Sequence, residues 1–224
     1  MEDLIARIAH AIEFGKVDRA SPYPPDLAGH PGADELTREA LDAGIEPERL
    51  LNEAFITAMD RVGKKFSERR IFVPQMLMSA RAMSAAMAHL KPFFQSGAVR
   101  RKGTFVIGTV AGDLHDIGKN LVAMMVEGAG WEVVDLGVDV SADRFVEAAR
   151  QAAGRAAVGL SAMLTTTMVG MEEIVRRLRE EAPGRPILVG GAPLNDEFRA
   201  RIGADFYSRD PQGAVAYLDR VVAA

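Results

Sequence analysis

Residues Phe105-Val-Ile-Gly-Thr-Val110 run directly into Ala-Gly112-Asp-Leu-His-Asp-Ile-Gly-Lys-Asn120, and the reading of this junction decides the fold. A short, largely apolar, β-branched run that stops at glycine and acid is the pattern of a strand buried on both faces. The same rhythm recurs toward the C-terminus. Strands are expected at Phe105–Val110, Glu132–Leu136, Ala157–Ser161, Ile187–Val189 and Asp205–Tyr207. Helices are expected between and after them at Asn120–Glu127, Ala142–Gln151, Met168–Glu181 and Gln212–Val222. Alternating strands and helices imply βα units and a parallel sheet. Five such strands predict a doubly wound, flavodoxin-like (Rossmann-like) sheet, whose ligands lie beyond the carboxyl ends of the strands.

Upstream of this run the period changes. From Met1 to about Phe94 apolar residues recur at helical spacing, as in Leu4, Ile8 and Ile12, and in Leu50, Phe55, Met59, Val62 and Phe66. Four or five helices are expected, with Pro47 and Pro74 in the first turns of the third and fourth. The segment from Ser21 to Gly32 carries Pro22, Pro24, Pro25 and Pro31 and reads as a connecting loop. Glycine and charge cluster from Gln95 to Gly103. The expected organisation is an all-α four-helix-bundle domain over residues 1–96, followed by the α/β domain over residues 97–224.

Composition narrows the chemistry. The 224 residues include 27 basic and 31 acidic side chains, a net charge of −4, and no cysteine. Without thiols there is no disulfide framework, no cysteine-based zinc or iron-sulfur site and no thiolate nucleophile. Interleaved charges of near balance argue against a nucleic-acid binder, which concentrates a basic face. No apolar run approaches the ~20 residues that span a bilayer, and the N-terminus has no leader pattern, so a cytoplasmic protein with no membrane partner is expected.

The sheet rule directs attention to the strand ends. Strand one runs into Gly112–Asn120, strand three into Ser161-Ala-Met-Leu-Thr-Thr-Thr167, strand four into Gly190-Gly191, and strand five into Tyr207-Ser-Arg-Asp210. A phosphate cradle is the first reading of Gly112–Asn120, but the glycine spacing is wrong, Asn120 replaces the required Ser or Thr, and two acids would repel the anion. A phospho-receiver is the second, but Ser161 and Met163 stand where an acceptor carboxylate would be needed. The third is a histidine, His115, held ready to ligate a metal, with Asp113 fixing its tautomer. A lone loop histidine is more often structural, so its neighbours must decide.

Those neighbours carry a resemblance. Asp113-x-His115-x-x-Gly118, Ser161-x-Met163 and Gly190-Gly191 stand at the separations of the cobalamin-binding signature, with Met163 in place of its leucine. The chain resembles the corrinoid (cobalamin)-binding proteins of methyltransferase systems and is similar to the cobalamin-binding module of methionine synthase. The resemblance continues through Val62–Phe66, Phe72–Met76 and Ser79–Met83. It implies cobalamin or a related corrinoid, such as methylcobalamin, bound base-off with His115 as the protein ligand to cobalt. Asp113 would accept a hydrogen bond from the far ring nitrogen of His115, and Thr167, where the family has serine, would support Asp113. These three would be the catalytic set.

By the same resemblance, the loop Gly112, Asp113, Leu114, His115, Asp116, Ile117 and Gly118 would contact the corrinoid. Ser161, Met163 and Thr165 would line the slot for its nucleotide tail, Gly190 and Gly191 would let the tail approach the backbone, and Tyr207, Asp210 and Pro211 would form the far wall. Phe66, Val73 and Met76 would belong to a cap over the upper face, although Met76, Met83 and Met87 also share one helical face and read equally as bundle core.

The implied function is a methyl carrier: a subunit rather than a complete enzyme, serving a substrate-specific methyltransferase and a second methyltransferase, with a reductive activase as a further partner. The alternative is a cobalamin-dependent sensor or regulatory protein. That reading expects a histidine in the covering helix, and Phe72–Met83 has none.

Overall fold

A computed structural model describes residues 2–222, apart from the side chains of Gln95 and Val222. The chain separates into two compact units, one comprising the residues up to Arg101 together with Gly128–Gly130, the other Lys102–Glu127 and the residues from Trp131 onward.

The first unit is helical. It contains α1 (Glu2–Glu13), α2 (Ala33–Asp42), a continuous run of α3 (Pro47–Arg49), a π-helical stretch (Leu50–Ile56) and α4 (Thr57–Ser67), and finally α5 (Val73–Gln95). Pro47 and Pro74 lie in the first turns of α3 and α5, where a missing N–H costs nothing. Gln75 Oε1 accepts the Phe72 N–H, closing the start of α5. Ile5, Ile8 and Ile12 of α1 are buried, as are Leu50, Phe55, Met59 and Val62, and Met76, Met83 and Met87 of α5. The proline-rich segment is ordered locally: it carries a cis Tyr23–Pro24 bond and a single 3-10 turn at Pro25–Leu27. The buried Lys16 ammonium donates to the Ser21 carbonyl at 2.7 Å and ties this segment to the end of α1.

The second unit is the expected α/β sheet: β1 (Thr104–Thr109), β2 (Glu132–Asp135), β3 (Ala156–Ser161), β4 (Ile187–Gly190) and β5 (Phe206–Ser208), all parallel, in the order β2-β1-β3-β4-β5. The helices of this unit are α6 (Ile117–Gly128), α7 (Ala142–Gln151), α8 (Thr165–Met168), α9 (Gly170–Glu181), α10 (Asp196–Arg201) and α11 (Pro211–Val222). Every residue of β1 is buried, whereas the edge strands β2 and β5 are short. Val106, Val158, Leu160 and Val189 form a core with Phe145 and Val146 of α7 and Ile174, Val175 and Leu178 of α9. Phe145 alone, fully buried, contributes about 1.5–3 kcal/mol. Local signals set the helix starts: Ser141 Oγ accepts the Arg144 N–H, and Asn195 Oδ1 accepts the Phe198 N–H.

The strand order reverses between β1 and β3, so the chain leaves these neighbours in opposite directions and opens a crevice at their carboxyl ends. The loops after β1 and β3 meet there.

Candidate functional site

Asp113 is the centre of that meeting. Its carboxylate is fully buried and saturated with donors. Oδ1 accepts the His115 backbone N–H at 3.1 Å and the ring Nδ1–H at 2.7 Å. Oδ2 accepts the Met163 N–H at 2.7 Å and the Thr167 hydroxyl at 2.8 Å. Burial alone would raise the pKa of this acid, but the hydrogen bonds from Met163, His115 and Thr167 outweigh it and hold the carboxyl well below its usual range. An ionised carboxylate only accepts, so Nδ1 must carry a proton, and in the neutral imidazole Nε2 is the nitrogen with the lone pair. The His115 side chain remains 53% exposed. The loop therefore presents an imidazole oriented through Nδ1, with Nε2 as the nitrogen that could ligate a metal.

The loop is pinned at other points. The buried Thr109 hydroxyl, at the end of β1, donates to the His115 carbonyl at 2.9 Å. Asp139, in the loop after β2, accepts the Gly112 N–H on Oδ1 at 2.7 Å and donates its own N–H to the Asp113 carbonyl at 3.0 Å. Neither residue stood out in the sequence, though both had a signal: a hydroxyl in an otherwise apolar buried strand, and an acid at the carboxyl end of strand two, the same edge as the other polar clusters. Lys119 is buried and engaged by Asp135 and Asn120, so its ammonium is spent inside the fold and not offered to a phosphate.

The remaining residues fall in three groups. Gly112–Gly118, Ser161–Thr167, Gly190–Gly191 and Tyr207–Pro211 all lie at the carboxyl edge of the sheet. Among them Asp116 hydrogen-bonds to Asn120 in the first turn of α6, and Asp210 accepts the Gly213 N–H in the first turn of α11, which Pro211 opens. Thr165 begins α8 and is exposed, while Ser161 is half-buried and pairs in register with Gly190. Phe66, Val73 and Met76 belong to the helical unit; Phe66 and Val73 are half-buried there and Met76 is a core residue.

The residues present suit a large, partly apolar cofactor. Leu114 is 73% and Ile117 70% exposed, flanking His115 with apolar surface that no described residue of their own unit covers. A Cβ on Gly118 would meet no protein atom within 4 Å, so protein packing gives no reason for glycine there, although it weakens the helix by ~1 kcal/mol relative to alanine. Space held open beside an oriented imidazole is what a bound ligand would require. Gly191 differs: at φ +135°, a Cβ would stand 1.8 Å from the Ala162 carbonyl oxygen, so glycine is needed to seat the β4 end against the loop after β3.

A 2-1-3-4-5 sheet whose switch-point loop offers a carboxylate-oriented imidazole beside exposed apolar surface defines a metallocofactor-binding α/β module. Comparison with known proteins gives the particular family. Residues 103–216 match the B12 binding domain, and residues 30–91 match a second B12 binding domain model. The trimethylamine corrinoid protein of Methanosarcina barkeri is 39% identical over 188 residues, covering 82% of this chain and 86% of that protein. The dimethylamine corrinoid protein of the same organism is 37% identical over 188 residues, covering 83% and 88%. Among solved structures, the methanol:cobalamin methyltransferase complex MtaBC from Methanosarcina barkeri aligns with a TM-score of 0.83 at 31% identity, covering 100% of this chain and 81% of that one. A cobalamin-binding protein from Desulfitobacterium hafniense aligns with a TM-score of 0.73 at 30% identity, covering 98% of each chain. The chain belongs to the B12-binding corrinoid proteins, and its cofactor is cobalamin or a related corrinoid.

Proposed function

We propose that this protein is the methyl-carrying subunit of a corrinoid-dependent methyltransferase system. It receives a methyl group from a substrate-specific methyltransferase and presents it to a second methyltransferase, with a reductive activase restoring the cofactor when it is oxidised. The observation that carries the reading is the His115–Asp113–Thr167 relay, in which both Asp113 oxygens and His115 Nδ1 are committed and His115 Nε2 has no hydrogen-bond partner among the described residues. A bound corrinoid supplies a cobalt centre able to take up and release a methyl group. His115 would hold that centre through Nε2, with the cofactor base-off. Asp113 orients the imidazole through Nδ1, and Thr167 and the Met163 N–H fix Asp113. Leu114 and Ile117 provide apolar contact, Gly118 leaves room beside His115, and Gly191 seats the β4 end against the loop after β3.

The relatives are named for trimethylamine and dimethylamine, and a structural neighbour for methanol. One carrier scaffold therefore accompanies several methyl sources, which supports a division of labour in which the partner enzyme reads the substrate.

The test is a UV–visible titration of the apoprotein with hydroxocobalamin, beside His115→Ala. Stoichiometric uptake is expected for both proteins, with an imidazole-ligated spectrum only in the wild type. Axial nitrogen coupling from imidazole should be lost from the EPR spectrum of the Co(II) form of the variant. An unchanged spectrum in His115→Ala would overturn the ligand assignment, and failure to accept a methyl group from any corrinoid methyltransferase would overturn the carrier role.

A further inference from the structure

Asp139 is an exposed aspartate at φ +54°, a left-handed conformation that side chains other than glycine, asparagine and aspartate rarely adopt. It lies where β1 and β2 continue past their regular ladder. The Thr109 N–H donates to the Gly137 carbonyl and the Val140 N–H donates to the Thr109 carbonyl. Between these two bonds the chain bulges outward through Val138 and Asp139. The bulge turns both polar groups of Asp139 onto one dipeptide: its carboxylate takes the Gly112 N–H and its N–H meets the Asp113 carbonyl. Backbone strain of this kind persists only where surrounding contacts hold it, and an observed outlier beside a functional loop points to a role in that loop.

The geometry explains what is held. Asp113 can accept from His115, Met163 and Thr167 only while its Cα is fixed, and Asp139 holds the main chain before and after it at the Gly112 N–H and the Asp113 carbonyl, while the Asp113 N–H goes to the Val110 carbonyl at 3.2 Å. Gly112 itself sits at φ +79° inside a turn closed by the Asp113 N–H on the Val110 carbonyl, and Asp139 is the acceptor that fixes the remaining N–H of that turn. Thr109 anchors the far end of the segment through the His115 carbonyl, which makes Asp139 the near anchor.

We propose that Asp139 is a positioning residue that clamps Gly112 and Asp113 and thereby sets the orientation of the His115 imidazole. The inference rests on His115 being the cobalt ligand, but the clamp also has a signature in the apoprotein. Three substitutions separate its parts. Asp139→Asn keeps an oxygen acceptor and tolerates positive φ. Asp139→Gly removes the acceptor while relieving the backbone strain. Asp139→Ala removes the acceptor and keeps the strain.

The experiment measures hydrogen exchange of the Gly112 amide in each apoprotein, and the imidazole-ligated fraction of each Co(II) form by EPR. Asp139→Ala and Asp139→Gly should speed Gly112 exchange by about tenfold, the effect of one lost hydrogen bond to a charged group. They should also lower the imidazole-ligated fraction by about threefold to tenfold, less than the roughly 10–100-fold effect of removing a direct partner of a ligand. Asp139→Asn should match the wild type in both. Wild-type behaviour of Asp139→Gly, or failure of Asp139→Asn to rescue, would overturn the proposal. If the wild type takes up no corrinoid, the proposed function fails, and the exchange data still decide the clamp.

Discussion

Each unit of this protein keeps one well-buried carboxylate that is held in its ionised form, and the two are held by different means. Glu13, at the end of α1, is 10% exposed and is met by two cations, Lys65 at 2.5 Å and Arg61 at 3.4 Å. Burial would raise its pKa, but these partners bring it below the ordinary value. Asp113, in the α/β unit, is met by no lysine or arginine. Two backbone N–H groups, a hydroxyl and an imidazole N–H stabilise it. The cations neutralise Glu13 and leave nothing for chemistry, so that cluster is structural and joins α1 to α4. Neutral donors solvate Asp113 without cancelling its charge. The negative charge therefore remains available to polarise His115, so the donor set, more than the burial, distinguishes a functional carboxylate here from a structural one.

The largest expected effect comes from breaking the neutral-donor set. In Asp113→Asn, either orientation of the amide places an NH2 group against a backbone N–H that cannot reverse its role, that of His115 or that of Met163, even where the imidazole or the Thr167 hydroxyl turns to accept. No flip resolves the conflict. Unsatisfied buried groups cost about 1–3 kcal/mol each, so urea unfolding of the apoprotein should show a loss of about 2–4 kcal/mol. The Co(II) form should lose most of its imidazole coordination. A stability within 1 kcal/mol of the wild type would mean that the four donors are not set by this carboxylate.

How much of this was visible in the sequence depended on whether the cause was local. The strands of the sheet and the spacing of Asp113, His115, Gly118, Ser161, Gly190 and Gly191 could be read because hydrophobic runs and motif separations are written linearly. The π-helical stretch was not foreseen, although the apolar stripe takes a step of five from Leu50 to Phe55 before returning to four and three, the trace of an i→i+5 turn. The helix-starting roles of Asp116 and Asp210 were missed because a capping acid and a binding acid look alike in sequence. Thr109 and Asp139 were missed because their partners, the His115 carbonyl and the Gly112 N–H, are backbone groups. A backbone partner gives such a residue no side chain to pair with in the sequence, and for Asp139 the Gly112 N–H lies 27 residues away.

A smaller effect is expected from Thr109→Val, which deletes only the hydroxyl that fixes the His115 carbonyl. The shape is kept and one hydrogen bond is lost, so apoprotein stability should fall by about 1 kcal/mol. Corrinoid stoichiometry should not change, and the imidazole-ligated fraction should fall less than in Asp113→Asn. Thr167 offers a parallel comparison: Thr167→Ser should retain the wild-type spectrum because the hydroxyl remains, whereas Thr167→Val should resemble Thr109→Val. If Thr167→Ser behaved like Thr167→Val, the methyl group and not the hydrogen bond to Asp113 would be the important feature.

The smallest effect belongs to the cationic cluster, and it carries a pH signature. A carboxylate whose pKa is lowered by folding contributes stability above its unfolded pKa, and that contribution is lost as pH falls through the folded value. Glu13 is such a group, so Glu13→Gln should be less stable than the wild type at neutral pH, and the gap should close below the unfolded glutamate pKa of about 4.3. Arg61 is 54% exposed and Lys65 24%, so both can return to water, which limits the gap to about 1 kcal/mol or less. High salt should shrink it further by screening. The deficit of Asp113→Asn should survive the same salt, because its donors are dipoles inside the fold and not mobile cations at its surface. Urea unfolding at pH 7 and pH 3.5, each at low and high salt, measures all four conditions on one pair of variants. Equal salt sensitivity of the two deficits would erase the distinction between the carboxylates, while a salt-sensitive Glu13 beside a salt-insensitive Asp113 would establish it.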